Sequence, residues 1–248
     1  MGQFSLCFNT TYKKMNSFDS VSETFLMNLD LGRVVDHAMT TVANLHTFKG
    51  LVLVPVLWWI WFQPGERREW RREMVIATII SALLALAAGR LLADFLPFRQ
   101  RPLLDPSFQA HFPLSAAQGA MLATWSSFPS DHAMLWASVS AGIFMIWRKV
   151  GVLAFLYTAI VICFPRAYLG FHYPTDLLAG AAIGIAITYV MTRDSVRTRY
   201  ASPSLLWILR NPGPTSMLAF VLCVELVTQF EDLRWLAGVT VKALRFHS

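Results

Sequence analysis

Six apolar stretches, cut apart by charged residues, constrain this chain more than any other feature: 50–65, 74–89, 133–147, 150–165, 177–192 and 211–224. Each is about 14 to 16 residues long, and polar flanks with snorkelling Arg and Lys extend it toward the ~20 residues that cross a hydrocarbon layer. A helix buried in a soluble bundle keeps a polar outer face at a period of 3.6. Residues 75–86, Val-Ile-Ala-Thr-Ile-Ile-Ser-Ala-Leu-Leu-Ala-Leu, have none. The expectation is an all-α integral membrane protein with about six transmembrane helices and interfacial amphipathic helices near the termini. Composition agrees: 55% of the 248 residues are hydrophobic and 15% charged, against roughly a quarter charged in soluble domains. The same figures exclude a disordered chain, a collagen or a disulfide scaffold.

Inside the stretches small residues recur, and Gly180 and Gly184 form a small-xxx-small pair suited to close helix packing. Cys7, Cys163 and Cys223 lack any spaced framework and read as small hydrophobes without a redox or metal role. No removable signal peptide is evident in residues 1–20. Residues 22–44 are amphipathic, with Asp30, Arg33, Asp36 and His37 among apolar neighbours, and Ser22-Glu23-Thr24-Phe25 offers a helix start; residues 233–246 are similarly mixed. One domain over 1–248 is expected: a polar or interfacial segment 1–48, a transmembrane core 50–230 and an interfacial tail 231–248.

The loops alternate in charge. Arg67, Arg68, Arg71 and Arg72, then Arg148 and Lys149, then Arg193, Arg197, Arg199 and Arg210 belong to one side, which the positive-inside bias makes cytoplasmic. The net charge of +6 therefore reads as topology, and no nucleic-acid partner is expected. The opposite side, 94–131 and 166–176, carries Arg99, Arg101, His111, His132, Arg166 and His172 with Asp131 and Asp176. Ionisable residues at membrane helix ends are site candidates. His111 is a minor candidate for the entrance.

Three short segments hold this cluster: Phe98-Arg99-Gln100-Arg101-Pro102, Phe128-Pro129-Ser130-Asp131-His132 and the run from Arg166 to Asp176. Ser130 is placed as N-cap of the third apolar helix and Pro174 in the first turn of the fifth, so two helix N-termini face the arginines. A phosphate is favoured there, because guanidinium forks match its oxygens. A neutral imidazole can attack phosphorus while a protonated one donates to the leaving oxygen. His172 and His132 fit these parts, and Asp176, four residues on, is expected to accept from one His172 ring nitrogen and fix its tautomer.

Here the sequence resembles the type-2 phosphatidic acid phosphatase superfamily, membrane branch. That family carries Lys-x6-Arg-Pro, Pro-Ser-Gly-His and Ser-Arg-x5-His-x3-Asp in this order on one membrane face. Residues 129–132 and Arg166, His172 and Asp176 match the second and third motifs, and Arg101-Pro102 matches part of the first. The similar part runs from about 89 to 192. The sequence departs at Asp94, where the family has Lys, at Asp131, where it has Gly, and at Pro165, where it has Ser. The resemblance implies metal-independent hydrolysis of a phosphomonoester or diphosphate on a membrane lipid through a phosphohistidine on His172. Asp176 would orient His172, His132 would protonate the leaving oxygen, and Arg101, Arg166, Ser130 and backbone N–H groups would hold the phosphate. The ligand that Lys would supply is either missing or supplied by Arg99, and Asp131 contributes its backbone N–H.

The resemblance also implies a multi-pass protein of the inner (plasma) membrane, no cofactor or metal, and a lipid phosphate substrate met on the outer face. An undecaprenyl-diphosphate or phosphatidylglycerophosphate phosphatase is the nearest analogy. Three other readings stand beside it. One is a phosphotransferase sharing the first step. Another is a non-catalytic binder or transporter of anionic lipid. The third is a metal-dependent hydrolase liganded by His132, His172, Asp131 and Asp176, which leaves the arginines unexplained.

Overall fold

The structure, a computed structural model, describes residues 16–29, 31–106, 108 and 123–228, and these are helical with turns and no strand. In chain order the helices are α1 (Ser17–Met27), α2 (Arg33–Asn44), the short α3 (His46–Gly50), α4 (Leu53–Phe62), α5 (Arg68–Phe95), α6 (Asp131–Ile146), α7 (Arg148–Tyr168), α8 (Pro174–Met191), α9 (Asp194–Arg210) and α10 (Pro212–Thr228). A short 3-10 turn, Pro102–Leu104, follows α5. Helix α7 contains a π-helical stretch, Thr158–Cys163.

The six apolar stretches become α4, α5, α6, α7, α8 and α10. Of these, α5, α7 and α8 are long and apolar enough to cross a bilayer, while α4, α6 and α10 are shorter apolar helices. Large apolar side chains such as Trp58, Leu153, Ile160, Leu178, Val190 and Phe220 stand exposed on them, as lipid-facing surfaces require.

Helix α6 is the centre, buried along most of its length between α5 and α8. Glycine makes that approach possible: a Cβ at Gly180 would run into the Ser130 carbonyl and one at Gly184 into the Met134 carbonyl. Hydroxyls join the apolar faces, with Ser138 and Thr188 Oγ atoms 2.6 Å apart and Ser140 and Thr158 2.9 Å apart. Such bonds are an efficient polar adhesive between helices that lack a hydrophobic drive to associate.

Two expectations change. The helix expected to start at Ser22 begins earlier, as α1, capped by the Asn16 side chain, and a second helix of the amphipathic segment, α2, starts after Gly32, whose φ of 81° is a left-handed value suited to glycine. The basic stretch after the fifth apolar segment is helix α9 and not a loop. Arg197 turns inward there to Glu73 (3.2 Å) and Asp194 (2.8 Å), and Ala201 and Leu205 pack on Ile76. The tail 233–246 lies outside the described residues.

The chain alternates between the two ends of the bundle. Thr192, at the end of α8, meets Met145 at the end of α6, and Arg197 meets Glu73 at the start of α5. At the far end Arg90 of α5 meets Asp131 at the start of α6. The basic loops thus gather at one end and the Arg, His and Asp cluster at the other.

Candidate active site

His132, His172, Asp131, Arg166 and Asp176 lie at or beside helix ends, and Arg99, Arg101 and Ser127 in the segments between helices. Pro174 occupies the first turn of α8, where its fixed φ suits the helix and its missing N–H is not needed. Asp176, two residues on, folds back over that start: its Oδ2 accepts from the Tyr173 N–H at 3.0 Å. Upstream, α7 ends at Tyr168 and the chain reverses through Gly170, whose φ of 69° only glycine adopts freely. The Phe171 N–H returns to the Arg166 carbonyl at 2.9 Å, and the Leu103 N–H donates to the Gly170 carbonyl at 2.9 Å. These bonds fasten His172 and the Arg101 segment to one another.

His172 is buried, and its two nitrogens have different partners. Nδ1 lies 2.8 Å from the Ser127 carbonyl, which can only accept, so Nδ1 carries the proton. Nε2 therefore presents its lone pair, 3.4 Å from Arg101 Nη1. Burial first, and the Arg101 charge second, push the His172 pKa well below its usual value, favouring the neutral ring. Arg101 is itself buried, donates to the Phe171 carbonyl at 2.8 Å and has an Nε without a partner. Burial also lowers its pKa.

Asp176 does not touch the His172 ring, contrary to the sequence expectation. Its carboxylate accepts from Ser127 Oγ, the Tyr173 N–H and Arg99 Nη1. The physical reason is local: a carboxylate in the first turn bends back to satisfy the free N–H groups of its own helix. Ser127, fully buried, links the two residues, holding Asp176 with its hydroxyl and His172 with its carbonyl.

Arg99 is also placed differently. It was expected as a phosphate ligand replacing the family's Lys. Instead its guanidinium meets Asp176 and, at 2.5 Å, Asp19 of α1, and lies 4.2 Å over the Tyr173 ring. Two carboxylates already use its charge. Asp19 also accepts from the Thr175 N–H (3.2 Å) and Oγ1 (2.7 Å), so α1 is pinned to the start of α8. One turn along, Glu23 is fully buried with both carboxyl oxygens unpartnered, and burial beside Asp19 and Asp176 raises its pKa to about 8.

The second histidine stands at the start of α6. Ser130 occupies the N-cap position as expected but makes no capping bond; its Oγ is buried and without a partner. That leaves a donor and the end of the helix dipole for an anion. His132 Nδ1 lies 3.1 Å from Asp131 Oδ1, which also accepts the His132 N–H at 2.9 Å. Arg90 Nη2 holds Asp131 Oδ2 at 2.5 Å while stacking 4.7 Å over Trp125. Asp131 thus serves Arg90 and His132 with its carboxylate, which a phosphate-binding role alone did not anticipate. Arg166, buried in the last turn of α7, donates to the Ile162 carbonyl at 2.6 Å. Asp94, in the position of the family's Lys, is exposed, and His111 lies outside the described residues.

Sequence reasoning missed Ser127, Arg90, Asp19 and Glu23. Arg90 had a usable signal, since it ends an apolar stretch on the site side, as the chosen arginines do. Ser127 had none, because it holds His172 through a carbonyl that every residue carries and its hydroxyl meets a carboxylate 49 positions away. Among the described residues no three His, Cys, Asp or Glu side chains cluster as metal ligands do.

The sequence is similar to those of known proteins. Over 111 residues the chain is 31% identical to the bacitracin transport permease protein BcrC of Bacillus licheniformis, covering 45% of this chain and about half (48%) of that protein's length. Over 184 residues it is 27% identical to the lipid A 1-diphosphate synthase of Escherichia coli, covering 73% of this chain and 71% of that protein. A putative undecaprenyl-diphosphatase of the same organism, YbjG, is 28% identical over 134 residues, 54% of this chain and 60% of its own. The crystal structure of Aquifex aeolicus LpxE aligns with a TM-score of 0.49 at 22% identity, covering 73% of this chain and 97% of that one. Residues 75–200, just over half of the sequence and spanning α5 to α9, match the PAP2 superfamily model, and the chain belongs to the PAP2 superfamily.

Proposed function

We propose that the protein is a metal-independent phosphatase of a membrane lipid phosphate or diphosphate, working through a phosphohistidine on His172. The observation that carries this reading is the 2.8 Å contact of His172 Nδ1 with the Ser127 carbonyl, which assigns the proton to Nδ1 and leaves the Nε2 lone pair beside Arg101. A neutral, oriented imidazole next to a guanidinium is what attack on a phosphate needs.

In the first step the Nε2 lone pair forms a bond to phosphorus and the bond from phosphorus to the lipid oxygen breaks. Protonated His132 gives its Nε2 proton to that oxygen. In the second, neutral His132 takes a proton from water as the water attacks phosphorus, and the N–P bond pair returns to His172. Arg101, Arg166, Ser130 Oγ and the N–H groups that start α6 hold the phosphoryl oxygens, because this chemistry depends on positioning and charge neutralisation. Asp176 is a positioning residue that acts on His172 through Ser127. Arg99 neutralises Asp176 and Asp19 behind the nucleophile.

Substrates of the undecaprenyl-diphosphate or phosphatidylglycerophosphate kind fit a site at the ends of membrane helices, near the headgroup layer. We place the protein in the inner membrane with 1–248 as one domain and the site facing outward, since Arg67, Arg148, Lys149 and Arg193 lie at the opposite end. The lipid A 1-diphosphate synthase aligns over the longest stretch among these relatives, which favours one second reading. In it the same phosphohistidine is passed to an acceptor lipid instead of water.

The test incubates purified protein with a panel of lipid phosphates, with and without EDTA and vanadate, beside His172→Ala. Phosphate release that resists EDTA, is blocked by vanadate and is lost in His172→Ala is expected. Wild-type release by His172→Ala would overturn the mechanism. Transfer of phosphate to an added acceptor lipid with little free phosphate would select the phosphotransferase.

A further inference from the structure

Arg90 and Asp131 form a second orienting device, distinct from the one behind His172, and it lies where this sequence departs from Pro-Ser-Gly-His. A glycine at 131 has no side chain to offer. Here the Asp131 carboxylate spans two partners, Arg90 Nη2 at 2.5 Å on Oδ2 and His132 Nδ1 at 3.1 Å on Oδ1. Arg90 comes from the last turns of α5 and is steadied by the Trp125 ring at 4.7 Å. We propose that Asp131, held in place by Arg90, is the positioning carboxylate of His132, so that the leaving-group acid of this chain is an Asp–His pair anchored from α5. This rests on the phosphatase reading and assigns its acid step.

The chemistry follows from the ring. A carboxylate on Nδ1–H keeps that proton in place and directs Nε2 outward, toward the leaving oxygen. As His132 gives up its Nε2 proton the ring passes from imidazolium to neutral imidazole, with Nδ1–H retained on Asp131 throughout. The charged neighbours of His132 are Asp131 on its own helix, Arg166 on α7 and Lys49 on α3, with the titratable His172 across the site. Burial above all, then Arg166 and Lys49, oppose a cationic ring. Among these neighbours Asp131 is the group whose charge favours the proton that His132 must hand over. Arg90 aligns the carboxylate, and its own charge is spent on Oδ2 and not on the ring.

A purely structural tie between α5 and α6 makes a different prediction, and leaving-group chemistry separates the two. An alkyl lipid phosphate expels a strongly basic alkoxide that needs the proton; p-nitrophenyl phosphate expels a stable phenolate that does not. The experiment compares kcat/KM, which reports steps up to phosphohistidine formation, for both substrates in wild type, Asp131→Asn, Asp131→Gly, Arg90→Ala, Arg90→Lys and His172→Ala. Melting temperature in detergent monitors folding. For Asp131→Asn the loss on the alkyl substrate should exceed that on the aryl substrate by about 10²-fold, the usual scale of a general acid. Arg90→Ala should show the same uneven loss, and Arg90→Lys should recover part of it. Equal losses on both substrates, or no loss on either, would overturn the proposal. If His172→Ala keeps both activities, the phosphatase reading fails instead. Should Asp131→Asn not fold, Arg90→Lys against Arg90→Ala decides by the same comparison.

Discussion

At His172 a single carbonyl determines which nitrogen can react, and two predictions belong at this scale. Ser127→Ala removes the hydroxyl that ties Asp176 to the turn carrying that carbonyl. It should lower kcat much more than it changes KM, because the nucleophile loses orientation and not substrate contacts. Steady-state kinetics on a lipid phosphate check this, and Ser127→Thr should retain more activity than Ser127→Ala. The second concerns pH. Burial and Arg101 depress the His172 pKa, so protonation of the nucleophile sets in only below the ~6.5 of an ordinary histidine. The acid limb of kcat/KM assigned to His172 should therefore lie below that value, and Arg101→Gln should move it upward.

Among the elements, α1 and the α6–α8 pair carry opposite kinds of contact. Helix α1 reaches the site through two buried carboxyls, Asp19 and Glu23, on one face. The Glu23 pKa is raised to about 8, so the docked helix prefers the protonated acid. Its stabilising contribution is complete below the normal carboxyl range, declines as pH rises and is lost through about pH 8. Hydrogen exchange of α1 amides should accelerate between about pH 5 and pH 8, beyond the intrinsic pH effect. Glu23→Gln should flatten that dependence. The α6–α8 contact is instead steric. Gly184→Ala puts a methyl against the Met134 carbonyl and should cost about 1–3 kcal/mol by overpacking, visible as a lower melting temperature in detergent with a parallel loss of activity.

For the whole molecule, the two ends of the bundle differ in charge and should differ in compartment. In a variant lacking its native cysteines, Gln100→Cys at the site end should react with an impermeant thiol reagent added to intact cells. Glu66→Cys at the basic end should react only after lysis; both positions are exposed. The reverse pattern would invert the topology.

The bilayer itself was legible without coordinates, because hydrocarbon forbids unpaired backbone and so an unbroken apolar run of helical length leaves few choices. The residues 129–132 and 166–176 were legible for a related reason: Pro and Ser at helix starts and Arg beside His have limited roles at a membrane surface. Sequence also placed Gly180 and Gly184 at a close contact, since their spacing brings both to one face. It did not reveal which acid serves which base. Asp176 stands four residues from His172 yet bonds Ser127, Arg99 and its own helix start, and Asp131, an apparent intruder in the phosphate site, is the partner of Arg90. Those pairings join residues 41, 49 and 77 positions apart. Local pattern fixes what a residue can do at a helix end; only the packing of α1, α5, α6 and α8 decides which opposite charge or carbonyl lies within hydrogen-bond reach.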